Sequence, residues 1–269
     1  MNRDFTIHRA RAGQGAEVAQ LIRRSLPPRL RPLTIWHSPR AARYVEAILR
    51  HRVSEADAAF YLLRRGKHIA GLAAFRVLDQ HAFLNHLYVA PRWRGRGLGA
   101  RLLAAAARNY LERHPLGQIA LDVFAGNAAV EAWYARLGFL EHAQRTWRLV
   151  PPGHAHPSET PPPARCENLA AANRRHRAWG FSTVVIATSA GRLDVGRLYA
   201  PYFRLPDCRA AADPELHRTL RALDRSRRCL LIAPSSPPTG WIPLAVSRRL
   251  QCPAATLFQR LGGASHEHA

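Results

Sequence analysis

The sequence predicts an α+β protein: a mixed, mostly antiparallel sheet flanked by helices, followed by a second, smaller α/β region. Three observations carry this prediction. Apolar runs at 59–63 (AFYLL) and 69–75 (IAGLAAF) are joined by a Gly66-Lys67 turn, the pattern of an antiparallel hairpin. A further strand at 83–89 runs into a basic, glycine-rich turn and then into the helical spacing of Leu102, Leu103, Ala106 and Tyr110. Residues 151–164 (PPGHAHPSETPPPA) have linker composition and divide the chain into an expected domain at 1–150 and another at 165–269.

The elements follow in order. Residues 5–9 (FTIHR) alternate as a first strand, and 17–22 and 44–49 carry helical apolar spacing. Between them, 27–39 is proline-rich and irregular. After the hairpin, the 83–89 strand and the helix through Tyr110, a strand is expected at 121–123 (LDV). A helix after Asn127 sets Val130, Trp133, Tyr134 and Leu137 at i, i+3, i+4 and i+7, one apolar face. Residues 139–140 and 147–150 are expected to close the sheet of the first domain. Beyond the linker, 167–178 reads as a helix, 181–187 and 193–199 as a hairpin around Ser189-Ala190-Gly191, 214–223 as a helix, and 229–233 and 242–246 as strands. Trp179-Gly180-Phe181 echoes Leu137-Gly138-Phe139 and suggests a degenerate partial repeat of the first domain.

Composition narrows the class. With 269 residues, 47% of them hydrophobic, the chain can bury one large or two ordinary cores. No run approaches the roughly 18–20 apolar residues that cross a bilayer, and residues 1–21 lack the apolar centre of a secretion signal. A cytoplasmic protein with no membrane partner is expected. The four cysteines (Cys166, Cys208, Cys229, Cys252) are widely spaced with no C-x-x-C pair, so neither a metal nor a disulfide framework is predicted. The formal net charge of +22 invites a nucleic-acid partner. However, the excess is spread out, with 24 basic and 10 acidic residues in 1–150 and 16 and 8 in 151–269. It is almost all arginine, as in a GC-rich coding bias. A solvated basic surface is favoured over nucleic-acid binding.

The densest chemical signal is Leu87-Tyr88-Val89-Ala90-Pro91-Arg92-Trp93-Arg94-Gly95-Arg96-Gly97-Leu98-Gly99. Three alternate glycines open the backbone N–H groups, a helix N-terminus adds donors and partial positive charge, and three arginines surround them. All of this converges on a phosphate or pyrophosphate. A P-loop is excluded, because no G-K-[ST] follows and Lys67 is the only lysine. Gly95, Gly97 and Ala100 satisfy G-x-G-x-x-[GA], with Asp122 downstream. The dinucleotide fold, however, feeds a buried strand almost directly into the first glycine, and here Pro91-Arg92-Trp93-Arg94 intervenes.

Arg94-Gly95-Arg96-Gly97-Leu98-Gly99 resembles R/Q-x-x-G-x-G/A, the pyrophosphate loop of the GNAT superfamily of acyl-CoA-dependent N-acyltransferases. The flanks are similar to the family as well: Val89-Ala90-Pro91 closes the strand as V-x-P, and Asn127, Tyr134 and Gly138-Phe139 reproduce N-x6-Y-x3-G-F. The resemblance covers about residues 3–150. It implies a GNAT-like sheet, acetyl-CoA as co-substrate without a metal, and transfer of an acetyl or other acyl group to a primary amine on a small molecule or a protein.

By the same resemblance, the amides of Arg94, Gly95, Arg96, Gly97, Leu98, Gly99 and Ala100 hold the pyrophosphate. The backbone of Leu87, Tyr88 and Val89 meets the pantetheine arm and polarises the thioester carbonyl, and Asn127 hydrogen-bonds the arm or caps the helix it precedes. Tyr134 is the expected general acid for the departing thiolate, the competing reading being a member of its apolar stripe. The base is less defined. Asn85 stands where several family members carry glutamate, and neighbouring His86 has a suitable intrinsic pKa, although strict strand alternation aims it at the opposite face. A water chain held by Asn85 is the other route.

Two alternatives stay open: a catalytically weak acyl-CoA-binding regulatory protein, and an acetyltransferase acting on an RNA-linked amine through its basic surface. A dimer is compatible with this sequence. Residues 165–269 hold no second R-x-x-G-x-G, so no CoA site is expected there.

Overall fold

The computed structural model describes residues 4–51, 57–151, 164–234 and 241–263. In chain order the first elements are β1 (Phe5–Arg9), α1 (Gly15–Ser25), α2 (Ala41–Leu49), β2 (Ala59–Arg65), β3 (His68–Leu78), β4 (His81–Val89), α3 (Leu98–Leu111), β5 (Gln118–Phe124), α4 (Ala128–Arg136) and β6 (Leu140–Val150). Then come β7 (Arg165–Cys166), α5 (Leu169–Trp179), β8 (Ser182–Thr188), β9 (Gly191–Arg197), β10 (Tyr202–Leu205), α6 (Cys208–Ala212), α7 (Pro214–Leu223), β11 (Arg228–Pro234), β12 (Ile242–Pro253) and α8 (Ala254–Gly263). Short 3-10 turns cover Pro28–Leu33, Ile35–His37 and Pro91–Trp93.

The chain divides into two compact units. One comprises Met1–Pro27, Ala42–Ala143 and Arg248–Ala269, the other Pro28–Ala41 and Gln144–Ser247. This differs from the expected cut at the proline-rich segment, whose residues 152–163 lie outside the described residues. Both long-range exchanges have a physical cause in strand pairing. The strand β6, expected to close the first sheet, instead pairs antiparallel with β11, from Cys229↔Val150 to Pro234↔Arg145. The place beside β5 is taken by β12 from the far end of the sequence.

In the first unit the strand order is β1-β2-β3-β4-β5-β12. β1 to β4 are antiparallel neighbours, and β4 and β5 run parallel with α3 as the crossover. β2 and β3 are buried along most of their length, as central strands covered on both faces must be. The turn between them uses Gly66 at φ 54°. Helix α3 sinks Leu98, Leu102, Leu103, Ala106, Ala107 and Tyr110 into one core with Leu84, Leu121, Tyr134 and Phe139. Each buried leucine there contributes about 1.5–3 kcal/mol relative to exposure. The C-terminal segment adds Leu250, Cys252, Leu257 and Leu261 to the same core. Helix α4 departs from its expected stripe: Tyr134 and Leu137 are buried, but Val130 is 37% exposed, because only the last turn of this short helix lies on the core.

The second unit repeats the order of elements: strand, helix, hairpin, strand, helical crossover, parallel strand. Its sheet runs β6-β11-β10-β9-β8-β7, with β10 and β11 as the parallel pair. Its core gathers Val184, Ile186, Val195, Phe203, Leu205, Leu216, Leu220 and Leu231. The Trp179-Gly180-Phe181 echo does not mark equivalent positions, since α5 follows the edge strand β7 of this unit and α4 follows the parallel strand β5 of the other. The two share helix-termination chemistry, with Gly138 at φ 89° and Gly180 at φ 76° in the left-handed region. The 28–41 segment belongs to this unit. Ser38 Oγ donates to the Trp179 carbonyl at 2.6 Å, and the His37 ring lies 5.9 Å from that of Tyr199.

Candidate functional site

The pairing of β4 with β5 is short. It covers Ala82↔Ile119, Phe83↔Ala120 and Leu84↔Leu121, then stops. From Asn85 to Val89 the β5-facing edge of β4 has no strand partner, so the two strands part and expose backbone donors and acceptors in a wedge. The parting coincides with a β-bulge. Opposite β4, Phe75 pairs with Leu84 and Ala74 with His86, leaving Asn85 as the extra residue. A bulge interrupts alternation and re-aims side chains. Strict alternation therefore does not separate His86 from Asn85, which corrects the sequence expectation.

Beyond the bulge, Leu87 and Val89 pack against the α3-side core, and alternation turns Tyr88 to the α1 face. The Asn85 side chain makes no hydrogen bond among the described residues. His86 Nδ1 lies 3.2 Å from Ser25 Oγ on α1. The single Ser25 hydroxyl proton goes to the Ile22 carbonyl at 2.7 Å, so His86 Nδ1 is the donor to Ser25 and Nε2 carries the lone pair. Burial, with the Arg76 guanidinium adding to it, holds the imidazole down to about 3. It is neutral at physiological pH and a weak base.

The glycine-rich turn forms the cradle that the spacing predicts. Gly95 (φ 73°) and Gly97 (φ 69°) occupy left-handed conformations, and the space where their Cβ atoms would stand is open. Gly97 is the N-cap of α3, and the first bond back into the helix runs from Arg101 N to the Gly97 carbonyl. The amides of Gly95, Gly97, Leu98, Gly99 and Ala100 donate no backbone hydrogen bond among the described residues, as the first turn of a helix requires. Open backbone amides at a helix N-terminus suit an oxyanion. A Cβ on Gly99 would lie 3.8 Å from Trp133 and 3.9 Å from Val89, so this turn, the end of β4 and α4 converge on one place.

Arginines crowd the turn. Arg94 Nε donates to the Val89 carbonyl at 2.9 Å, and its guanidinium sits 5.9 Å from the Tyr88 ring. Those of Arg65, Arg92 and Arg96 lie 5.2–5.3 Å from the Trp93 ring. Sequence reading missed this role of Trp93. Its position amid Arg92, Arg94 and Arg96 was the available signal, whereas Arg65 arrives from β2 only in three dimensions.

Tyr134 is 6% exposed, with its ring edge-on to Phe139 at 5.3 Å and to Trp133 at 4.8 Å. Burial pushes the phenol well above its usual pKa, so it stays protonated. Its hydroxyl makes no hydrogen bond among the described residues. Asn127 caps α4, its Oδ1 accepting from Val130 N at 3.3 Å. Gly138 combines its positive φ with a close approach: a Cβ there would meet Thr256 Cγ2 of α8 at 2.8 Å.

Among the described residues the second unit has no such cradle. Its β10 leads into α6 with Asp207 as N-cap, and Asp213 caps α7, each carboxylate accepting a helix amide. Carboxylates already occupy the donors that an anion would use, and they repel one. Among the described residues there is no group of His, Cys, Asp and Glu that could hold a metal ion, and all four cysteines are free. Among them, too, no helix is long and apolar enough to cross a membrane.

A wedge between parallel strands, a bulge at its mouth and an open amide cradle on the following helix are the geometry of the first unit, and comparison with known proteins gives its class. Residues 19–139 match the model of the acetyltransferase (GNAT) family. A Pyrococcus horikoshii protein named as an acetyltransferase is similar over 94% of this chain and 91% of its own, at 13% identity and TM-score 0.59. A tandem GNAT protein from the clavulanic acid biosynthesis pathway is similar over 93% and 98%, at 14% identity and TM-score 0.59. A conserved protein of unknown function from Enterococcus faecalis covers 95% of this chain and 74% of its own, at 10% identity and TM-score 0.53. At these identities the likeness is one of fold. No curated protein matches the sequence.

Proposed function

We propose that the first unit is an N-acyltransferase that moves an acetyl or other acyl group from acyl-CoA to a primary amine. The observation that carries this reading is the pairing of the β4/β5 wedge with the open amide cradle at Gly95–Ala100. In this reading the cradle amides hold the pyrophosphate, and the unpaired edge of β4 at Leu87–Val89 meets the pantetheine arm. A backbone N–H there polarises the thioester carbonyl as its oxygen gains charge.

The amine nitrogen attacks the carbonyl carbon, the C–N bond forms, and the C–S bond breaks. Tyr134 supplies the proton that the departing thiolate takes. The nucleophile loses its proton to water held at the unengaged amide of Asn85. The acidic titration of His86 makes it a poor acceptor for an ammonium proton, so its role here is to pack and donate to Ser25. Asn127 orients α4 through its cap, which leaves its side-chain amide hydrogens for the arm.

The second reading, a regulatory protein that binds acyl-CoA without turning it over, draws on the absence of a strong base at Asn85 and His86. Free-thiol release from acetyl-CoA against a panel of primary amines separates the two. Amine-dependent release supports transfer, and tight binding without release supports regulation. In either case Gly97→Val weakens acetyl-CoA binding at least tenfold by calorimetry. The branched side chain strains the left-handed backbone and fills the cradle. Unchanged affinity in a folded variant removes the pyrophosphate assignment.

A further inference from the structure

We propose that the first unit carries an anion subsite on the α1 face of β4 and that it takes the carboxylate or phosphate of the acyl acceptor. The proposal rests on the acyl-transfer reading and specifies the class of amine: an amino acid or a phosphorylated amine, not a polyamine.

A cavity of about 480 Å³ opens there, lined by Arg24, Ile69, Tyr88, Ala90, Pro91 and Arg92. That volume suits a ligand of metabolite size. Arg24 comes from the last turn of α1 and Arg92 from the turn after β4. Neither forms an ion pair or hydrogen bond among the described residues, and no acidic side chain lines the cavity. A third guanidinium, that of Arg94, lies against the Tyr88 ring at 5.9 Å. Like charges around an unneutralised cavity repel one another, and an anion between them converts that repulsion into attraction. A cationic amine bearing no anion meets the opposite sign.

The sheet separates this cavity from the cradle's helix. Leu87 and Val89 point to the α3-side core, and Tyr88 between them points to α1. Acyl-CoA held by the α3 amides brings its pyrophosphate to the α3 side. The α1 side of the same strand is thus left to the acceptor. The donor also carries an anion besides its pyrophosphate, the 3′-phosphate of its nucleotide, and the experiment distinguishes the two.

The test uses the full-length chain, acetyl-CoA, and amines paired so that they differ only in the anion: lysine and cadaverine, tyrosine and tyramine, phosphoethanolamine and ethanolamine. Turnover is read by thiol release, and binding by calorimetry with CoA present. The expected result is at least a tenfold preference in kcat/KM or in affinity for the anionic member. Arg24→Gln reduces it below threefold and Arg24→Glu reverses it. Arg24 is exposed, so both variants retain the fold. Equal treatment of the pairs, or a preference untouched in both variants, overturns the proposal. A donor arm compares acetyl-CoA with its 3′-dephospho form. If Arg24→Gln erases discrimination there and not among the amines, the anion is the nucleotide's and the acceptor assignment falls. Arg24-dependent binding of the anionic amines without any turnover sustains the subsite and removes the acyl-transfer reading.

Discussion

Arg249, near the end of β12, grips Asp122 of β5 with both faces of its guanidinium, Nε to Oδ1 at 2.5 Å and Nη2 to Oδ2 at 3.2 Å. Asp122 is the residue after the last pairing of β4 with β5, so the bond holds β5 where the wedge begins. The arginine is 4% exposed, lies 4.7 Å from the Phe83 ring and reaches Asp79 at 3.5 Å. A residue 127 positions away in sequence thus fixes one wall of the site.

Removing Asp122 leaves a buried guanidinium with only the more distant Asp79. Breaking a buried pair costs about 3–5 kcal/mol, and the partial exposure of Asp122 lowers the expected loss to about 2–4 kcal/mol. Asp122→Ala should therefore lower stability by that amount in urea titration. Arg249→Met, which removes the buried charge along with the pair, should cost less. A loss below about 0.5 kcal/mol for Asp122→Ala, the range of an ordinary surface change, would mean that the pair is idle.

A fragment ending at residue 150 should not fold as an independent domain. It lacks Arg249 and the core side chains Leu250, Cys252, Leu257 and Leu261, and it leaves β5 with an open edge. Aggregation or absent near-ultraviolet dichroism is expected, with recovery when a segment carrying 248–263 is supplied. A soluble, acetyl-CoA-binding 1–150 fragment would show that the C-terminal strand is dispensable.

Tyr134→Phe keeps the ring contacts to Trp133 and Phe139 and removes a hydroxyl that has no hydrogen-bond partner among the described residues. The melting temperature should change little. If the phenol protonates the thiolate, kcat falls about 10²–10⁴-fold with little change in acyl-CoA affinity. Full specific activity returns Tyr134 to a packing role.

The pH dependence of stability has a definite sign at His86. Its folded pKa, about 3, lies below the usual value near 6.5, so the unfolded chain binds the proton more readily. Its contribution is complete above about 6.5 and is lost as pH falls toward about 3. Burial depresses His176 in the same direction, to about 4. The melting temperature should decline through this window, and His86→Gln should flatten the decline. An equally steep acid limb in the variant assigns the effect to other groups.

Much of the candidate site's backbone geometry was legible because it is local. Arg94 to Ala100 lie within seven consecutive residues, and a glycine at a required left-handed φ is a one-letter signal. The hairpin at Gly66, the capping role of Asn127 and the placement of Tyr134 follow from turn chemistry and spacing for the same reason. The bulge at Asn85 was not legible, since a bulge is a mismatch between two strands and no single strand encodes it. The meeting of Arg24 with Arg92 was equally hidden, because each is an ordinary surface arginine until α1 is laid on β4.

Local backbone preference and hydrophobic period determined the strands, the helices, the amide cradle and the presence of two α/β units, since each depends on residues a few positions apart. Which strand completes which sheet was decided only in the tertiary structure. An edge strand pairs wherever its backbone groups and apolar face are best satisfied, and β6 and β12 satisfy theirs beside β11 and β5, far from their neighbours in sequence. The second half of the chain therefore supplies Arg249 and α8 to the first unit, a dependence that no window of sequence contains.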